Sequence, residues 1–419
     1  MTTGVRILLA FAALAAWLVV APYVFSSGVA LTMMSLMGVM IIFALSYNML
    51  LGQTGLLSFG HAVYYGLAGF CAAHAMNLIA SNKLAIPLPA VPLVGAAAGL
   101  FFGVIFGAVS TRRAGTVFAM ISLGLGELVA AFALVLHNFF GGEEGIATNR
   151  VKLAPFLGFK FGPQIQVYYL IAFWCLVCIA LMYAITRTPF GRMCNAVRDN
   201  PERAEFIGYS TQRVRFQAFV LSAIFAGIAG SLAAINFELM NSQAVGAITS
   251  GQVLLMTFVG GIGHFAGPII GAILVTFLQI SLSDVTKAWM LYFGLMFIFV
   301  VMYAPGGIAG WLALHQPLLR GGRIFRLVPA YALTAIPALG LVFGSILLIE
   351  LAHHMLVEAQ SNGPMLSVFR TPVNGASPWP WLAALMLFLG GAWGLRAVWP
   401  RVSDAWAQAT ADKSGKVAP

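Results

Sequence analysis

The 419-residue chain is 61% hydrophobic and only 8% charged, with a mean hydropathy of +0.93. Soluble domains carry about a quarter charged residues, so this composition excludes a water-coated globule and implies a multi-span membrane protein. The formal net charge of +10 then reads as Lys and Arg marking cytoplasmic loops rather than as a nucleic-acid footprint.

Apolar runs suited to helical crossing of about 30 Å of hydrocarbon fall at 7–25, 29–51, 62–80, 88–110, 114–136, 167–186, 216–237, 251–263, 265–281 and 288–304. Two more follow at 328–350 and 380–399. The expected fold class is an all-α polytopic membrane protein. It would have about ten core transmembrane helices in two related halves with broken or re-entrant segments, plus two extra C-terminal helices. The alternating segments of a β-barrel do not occur. The first run follows Arg6 and has no convincing cleavage site after it, so it reads as a transmembrane helix with its N-terminus inside. Residues 52–61, GQTGLLSFGH, are too polar and Gly-rich to face lipid and are expected as a broken segment lining protein interior.

Basic residues cluster at Arg112 and Arg113, from Arg187 to Arg215, at Arg320, Arg323 and Arg326, and at Arg396 and Arg401. All fall on the cytoplasmic side if 251–281 forms two short helices broken at GGIGHFAGP. Residues 137–166 then form an ordered external loop. The four cysteines suggest no disulfide framework, and Cys175-x-x-Cys178 reads as a packing pair in an apolar run. Cys194 falls in the Arg-rich loop. Gly-Gln openings at Gly52 and Gly251, each followed by Leu-Leu and a Gly/His interruption, hint at internal repetition.

One stretch breaks the apolar pattern: GRMCNAVRDNPERAEFIGYSTQRVR, residues 191–215. Asn200 is a favoured N-cap, Pro201 suits the first helical position, Glu202 complements the positive helix end, and Gly208 suits the left-handed residue after the end. A short capped helix is predicted there, with Val197, Phe206 and Ile207 available for burial. Arg198, Asp199, Glu202 and Arg203 would supply its polar rim.

These residues resemble the membrane permease subunit of branched-chain amino acid ABC importers, the LivM type. The likeness runs through Ala196-Val197-Arg198-Asp199-Asn200, Ala204, Gly208 and AFVLSAIFAGIAGSLAA. It includes GQTGLLSFGHAVYYGLAGF, TVFAMISLGLGELV with GGEEGI, LLMTFVGGIGHFAGPIIGA and YAPGGIAG, in order over about 30–312. The resemblance implies a permease domain over 1–312 and a coupling helix at about 195–210 that fits an ATPase cleft. It also implies a second, LivH-like permease, two cytoplasmic LivG/LivF-like ATPase subunits that hold ATP and Mg, and a periplasmic binding protein. No cofactor is expected on this chain. The setting implied is the bacterial inner membrane, multi-pass, with both termini cytoplasmic. Residues 313–419, with two probable spans and a short basic tail, lie beyond the resemblance; they would brace the core or face lipid, or contact a further partner.

No Walker A pattern occurs, and no catalytic or metal motif stands out, so the chain is expected to be a transport subunit and not an enzyme. Pathway or gate candidates are Gln53, Ser58, Gly60, His61, Glu127, Gly260 and Gly261. Glu127 is an ionisable group within a span, yet Gly124 and Gly126 beside it also suggest a tight helix contact. His264 reads as structural. Two functions from different classes follow: an ATP-driven permease, or a proton-coupled secondary transporter using Glu127 and His61.

Overall fold

The computed structural model describes residues 3–156, 158–304, 306–320, 323–368 and 371–410. The helices are α1 Thr3–Val24, α2 Gly28–Thr54, α3 Ala62–Ala80, α4 Val91–Ser110, α5 Thr116–Val135, the single turn α6 His137–Phe140, α7 Gln164–Arg187, α8 Pro189–Asp199 and α9 Pro201–Phe206. They continue as α10 Thr211–Phe237, α11 Ala247–Gly260, α12 Gly267–Ser283, α13 Trp289–Tyr303, α14 Gly307–Arg320, α15 Val328–His353, α16 Ala359–Asn362 and α17 Pro378–Thr410. Among the described residues strands form two short antiparallel pairs, β1 Ile146–Ala147 with β2 Leu239–Met240 and β3 Met365–Val368 with β4 Thr371–Asn374. Among the described residues nine helices are long and apolar enough to cross a membrane. The protein is all-α and polytopic.

Contacts divide the chain into two compact units. The first comprises residues up to Leu282 and Phe297–Gly310. Its centre is α3 and α10, whose apolar windows are 78% and 89% buried, whereas that of α1 is 11% buried. Glycines permit this close approach. A Cβ on Gly230 would stand 1.8 Å from the Tyr65 carbonyl oxygen, and one on Gly99 2.3 Å from that of Ala223. Small residues at such crossings let dispersion and backbone contact replace the hydrophobic drive that lipid does not supply.

The broken stretches sit where the sequence placed them, with adjustments. Helix α2 continues to Thr54, so Gly52 and Gln53 are helical and only Gly55–His61 is irregular. Gly55 ends α2 in the left-handed region, φ +71°, and its N–H returns to the carbonyls of Leu50 and Leu51. Residues 251–281 do form two helices, interrupted at Gly261–Ala266. With 14 and 17 residues they reach about 21 and 26 Å at 1.5 Å per residue. The two Gly-Gln pairs are not equivalent, since Gly52 precedes its break by one helical turn while Gly251 lies near the start of α11.

The loop between α5 and α7 is ordered by pairing β1 with β2 and by Arg150. This buried guanidinium donates to the carbonyls of Ile235 and Asn236 (both 3.1 Å) and of Phe161 (3.0 Å), and to Gln164 Oε1 (3.1 Å). The Arg150 N–H donates to Glu238 Oε1 at 2.7 Å. A cation at the C-terminal carbonyls of α10 is favoured by the helix dipole.

The second unit comprises Ser283–Met296 and the residues from Trp311 onward. Here α15 and α17 pack along each other, with Gly344 against Phe388 and Gly391 against Leu341. His315, Tyr331 and Trp406 form a hydrogen-bonded knot: the Tyr331 hydroxyl lies 2.8 Å from His315 Nε2 and accepts from Trp406 Nε1 at 3.0 Å. Tyr292 donates to Glu350 at 2.8 Å, and Lys287 pairs with Glu358 at 3.2 Å. The outer faces expose Ile336, Met386 and Trp393, a composition suited to hydrocarbon. Helices α15 and α17 extend past the predicted 350 and 399 to His353 and Thr410. The basic tail, 411–419, lies outside the described residues.

Candidate translocation core and coupling surface

The first break buries Leu56, Ser58, Gly60 and His61, leaves Gly55 and Phe59 exposed, and is tied to three helices by side chains. The Tyr47 hydroxyl donates to the Ser58 carbonyl at 2.9 Å. The Phe59 N–H donates to Ser122 Oγ on α5 at 3.0 Å, and the Ala62 N–H to Ser250 Oγ on α11 at 3.1 Å. These serines satisfy backbone groups that the interruption frees, as non-helical backbone at membrane depth requires. Gly60 allows α5 to approach, because a Cβ there would stand 2.1 Å from the Ser122 carbonyl oxygen.

His61 sits at the end of this segment, 1% exposed. Its ring stacks on Phe43 (5.5 Å between centroids) and meets Tyr47 edge-on (5.2 Å). Ser46 Oγ donates to the Phe43 carbonyl at 2.7 Å, so it accepts from His61 Nε2–H at 3.0 Å. That assigns the proton to Nε2 and leaves Nδ1 an acceptor. Nδ1 is buried without a hydrogen-bond partner, as are Ser58 Oγ, Asn48 Oδ1 and Gln53 Oε1. Unpaired buried polar atoms cost about 1–3 kcal/mol each, and four of them fall on one helix end and its break.

The second break is built differently. A Cβ on Gly260 would lie 1.9 Å from the Gly267 carbonyl oxygen, and one on Gly261, at φ +110°, 2.2 Å from that of Gly306. Gly260 and Gly261 therefore act through backbone-to-backbone packing. His264 is exposed, and its carbonyl accepts from the Gly267 N–H at 3.0 Å. The end of α2 approaches this second break: a Cβ on Gly52 would stand 3.0 Å from the Ile262 carbonyl oxygen.

The polar stretch is two helices, not one. The predicted capped helix is α9: Asn200 Oδ1 accepts from the Arg203 N–H at 2.9 Å, Pro201 opens the helix, and Gly208 follows it at φ +93°. Sequence reasoning missed α8, although Thr188-Pro189 carries the same cap-then-proline signal and the Thr188 hydroxyl accepts from the Gly191 N–H at 3.3 Å. Cys194 lies in α8 and not in a loop. Cys194, Val197, Ala204, Val214 and Ala218 form one apolar cluster that joins α8 and α9 to the base of α10. Burial pushes the Cys194 thiol up to about 12, so it packs and does not react as a thiolate. Beside it, Gln53 faces a crevice lined by Met49, Ile185, Phe190 and Cys194.

Val197 is buried as predicted, but Phe206 and Ile207 are 91% and 68% exposed. The short helix turns Ala204 inward instead. Asp199, Glu202 and Arg203 are exposed. Arg198 bonds both Asp199 (2.9 Å) and the Gly52 carbonyl.

Gln53, Ser58, Gly60 and His61 thus cluster along the end of α2 and its break, with Gly260 and Gly261 in the neighbouring one. Glu127 does not join them. It is exposed on α5, while Gly126 packs on Gly60 (3.3 Å from a Cβ to its Cα) and Gly124 has nothing within 4 Å. Ser46, Ser122 and Ser250 escaped notice because a lone serine in an apolar run carries no pattern; only the fold brings them to the break. Among the described residues no group of three or more His, Cys, Asp or Glu could hold a metal ion.

This arrangement of interrupted spans and a punctuated polar helix pair coincides with a family match. The family described as "Branched-chain amino acid transport system / permease component" matches residues 29–304. The chain belongs to this family. As a family member it is a transmembrane permease subunit of an ABC importer, and the proton-coupled reading gives way. It is 28% identical over 301 residues to the high-affinity branched-chain amino acid transport system permease protein LivM of Escherichia coli, covering 67% of this chain and 69% of that one. It is 24% identical over 284 residues to BraD of Pseudomonas aeruginosa, a permease of the same description, covering 64% and 90%. A probable LivH permease of Methanocaldococcus jannaschii is 25% identical over 252 residues, covering 56% and 77%. No solved structure matches. The family match ends at Tyr303's neighbour, residue 304, so it takes in both breaks and the α8–α9 pair and leaves α14 to α17 outside.

Proposed function

We propose that this permease carries branched-chain amino acids, or a related small amphipathic solute, across a bacterial inner membrane. The α8–α9 pair is its dock for an ATPase subunit. The observation that carries the reading is the apolar tip formed by Phe206 and Ile207, exposed on a helix capped at both ends and anchored by a buried apolar cluster. Exposed aromatic and aliphatic side chains on a rigid, polar-rimmed knob suit insertion into a protein cleft. The positive-inside rule applied to the basic loops supports a cytoplasmic position for this side and both termini, where ATP is available. The importer would comprise this chain, a second LivH-like permease, two LivG/LivF-like ATPases holding ATP and Mg, and a periplasmic binding protein. The chain itself catalyses no reaction. The unpaired polar atoms of His61 and Ser58 would form part of the solute path.

Phe206→Asp tests the dock. Insertion into the membrane should persist, co-purification of the ATPase subunits should be lost, and uptake of labelled L-leucine should fall at least tenfold. ATPase binding at the wild-type level in this variant would overturn the assignment. So would uptake by the chain alone on a pH gradient.

A further inference from the structure

We propose that Arg198 is a positioning residue that transmits displacement of the α8–α9 pair to the first membrane break. This rests on the docking reading above. Arg198 sits on the docking pair, yet its Nη1 donates to the Gly52 carbonyl in the last turn of α2. Helix ends leave their final carbonyls without intrahelical donors. The N–H of Leu56, which would serve Gly52 in a continuing helix, returns to Leu50 instead at 3.2 Å. The guanidinium fills that vacancy with a charge-assisted bond at the negative end of the α2 dipole.

Two further contacts fix it there. Asp199 Oδ1 accepts from Arg198 Nε at 2.9 Å. The Arg198 methylenes cover Gly55, where a Cβ would stand 3.1 Å from Arg198 Cγ. Gly55 is the left-handed residue that starts the break, so one side chain holds both the end of α2 and the turn that follows. Beyond that turn Ser58 and His61 are bonded to α2, and the neighbouring N–H groups of Phe59 and Ala62 to α5 and α11. On the other side, α8 and α9 move as one body because Val197 and Ala204 share an apolar cluster with Val214. A push on the exposed tip therefore reaches the break through Arg198 as well as through the base of α10.

The test uses the whole importer with its ATPase subunits. Ser58→Cys, in a Cys71→Ala background, serves as a probe of the break, with a membrane-permeant maleimide as reagent. Trapping the ATPases with ADP and vanadate should change the labelling rate at least threefold when Arg198 is present. Arg198→Met keeps the methylene packing on Gly55 and removes the donor. It should retain the ATPase subunits but reduce the nucleotide-dependent change below about 1.5-fold. Arg198→Lys, whose compact ammonium lacks the planar fork that gives Asp199 and Gly52 separate donors, should give an intermediate response, and it decides the matter if the methionine variant does not accumulate. Full nucleotide-dependent labelling in these variants overturns the proposal, as does absence of any change when Arg198 is intact. Loss of the ATPases from Arg198→Met also overturns it, since Arg198 would then be a docking residue. Failure of the ATPases to bind the unaltered chain sinks the docking reading itself and this proposal with it.

Discussion

The two breaks in the first unit solve one problem in opposite ways. Gly55–His61 is buried at Leu56, Ser58, Gly60 and His61, and its backbone is satisfied by side chains: Tyr47, Ser122 and Ser250 each take one bond. Gly261–Ala266 exposes Gly263 and His264, and its neighbours are held by glycine backbones in contact, Gly260 on Gly267 and Gly261 on Gly306. Side-chain hydrogen bonds are individually weak and exchangeable, about 1–2 kcal/mol in model helices and less in intact proteins. Backbone packing without side chains has no slack at all. The first break is therefore held largely by exchangeable side-chain bonds, and the second by direct backbone contact.

Variants that attack each break should separate these roles. The largest effect is expected for Gly260→Val, whose side chain has no space beside Gly267. Overpacking of this kind costs about 1–3 kcal/mol or more, so the variant should lose most of its detergent-solubilised folded population in a thermal melt. Ser122→Ala leaves the part-buried Phe59 N–H without its acceptor, a loss of about 1 kcal/mol; the melt should fall by a few degrees while the chain still inserts. Ser46→Ala removes only the partner of His61 Nε2–H, and a drop of about 1 kcal/mol should accompany a clear fall in leucine uptake. The smallest effect belongs to His264→Ala, within about 0.5 kcal/mol as for an exposed site, with uptake within twofold of wild type. A large loss at His264 and none at Ser46 would invert the comparison.

The legibility of these features follows their range. Asn200, Pro201 and Gly208 announce α9 because caps act on neighbours in sequence. The interruptions at 55–61 and 261–266 were legible because polar and Gly-rich residues cannot face lipid. Burial of particular side chains was not: Phe206 and Ile207 point outward although α9 is amphipathic enough to hide either face, and Ala204 fills the buried position. Glu127 illustrates the same limit, since a carboxylate within an apolar run could face the bundle interior or away from it, and only packing of Gly126 on Gly60 sets the rotation of α5 that exposes it.

By itself, the sequence determined the membrane class, most of the helical spans, their breaks and the punctuation of the short polar helix. Each of these depends on hydrophobic length, backbone satisfaction or local capping within a few residues. Only the tertiary structure decided which residues meet. It brought Ser122 and Ser250 to a break 63 and 188 residues away along the chain, and Arg198 to Gly52 across 146. Such pairings leave no periodic or compositional trace, because one hydrogen bond between distant helices constrains one residue on each and nothing around it.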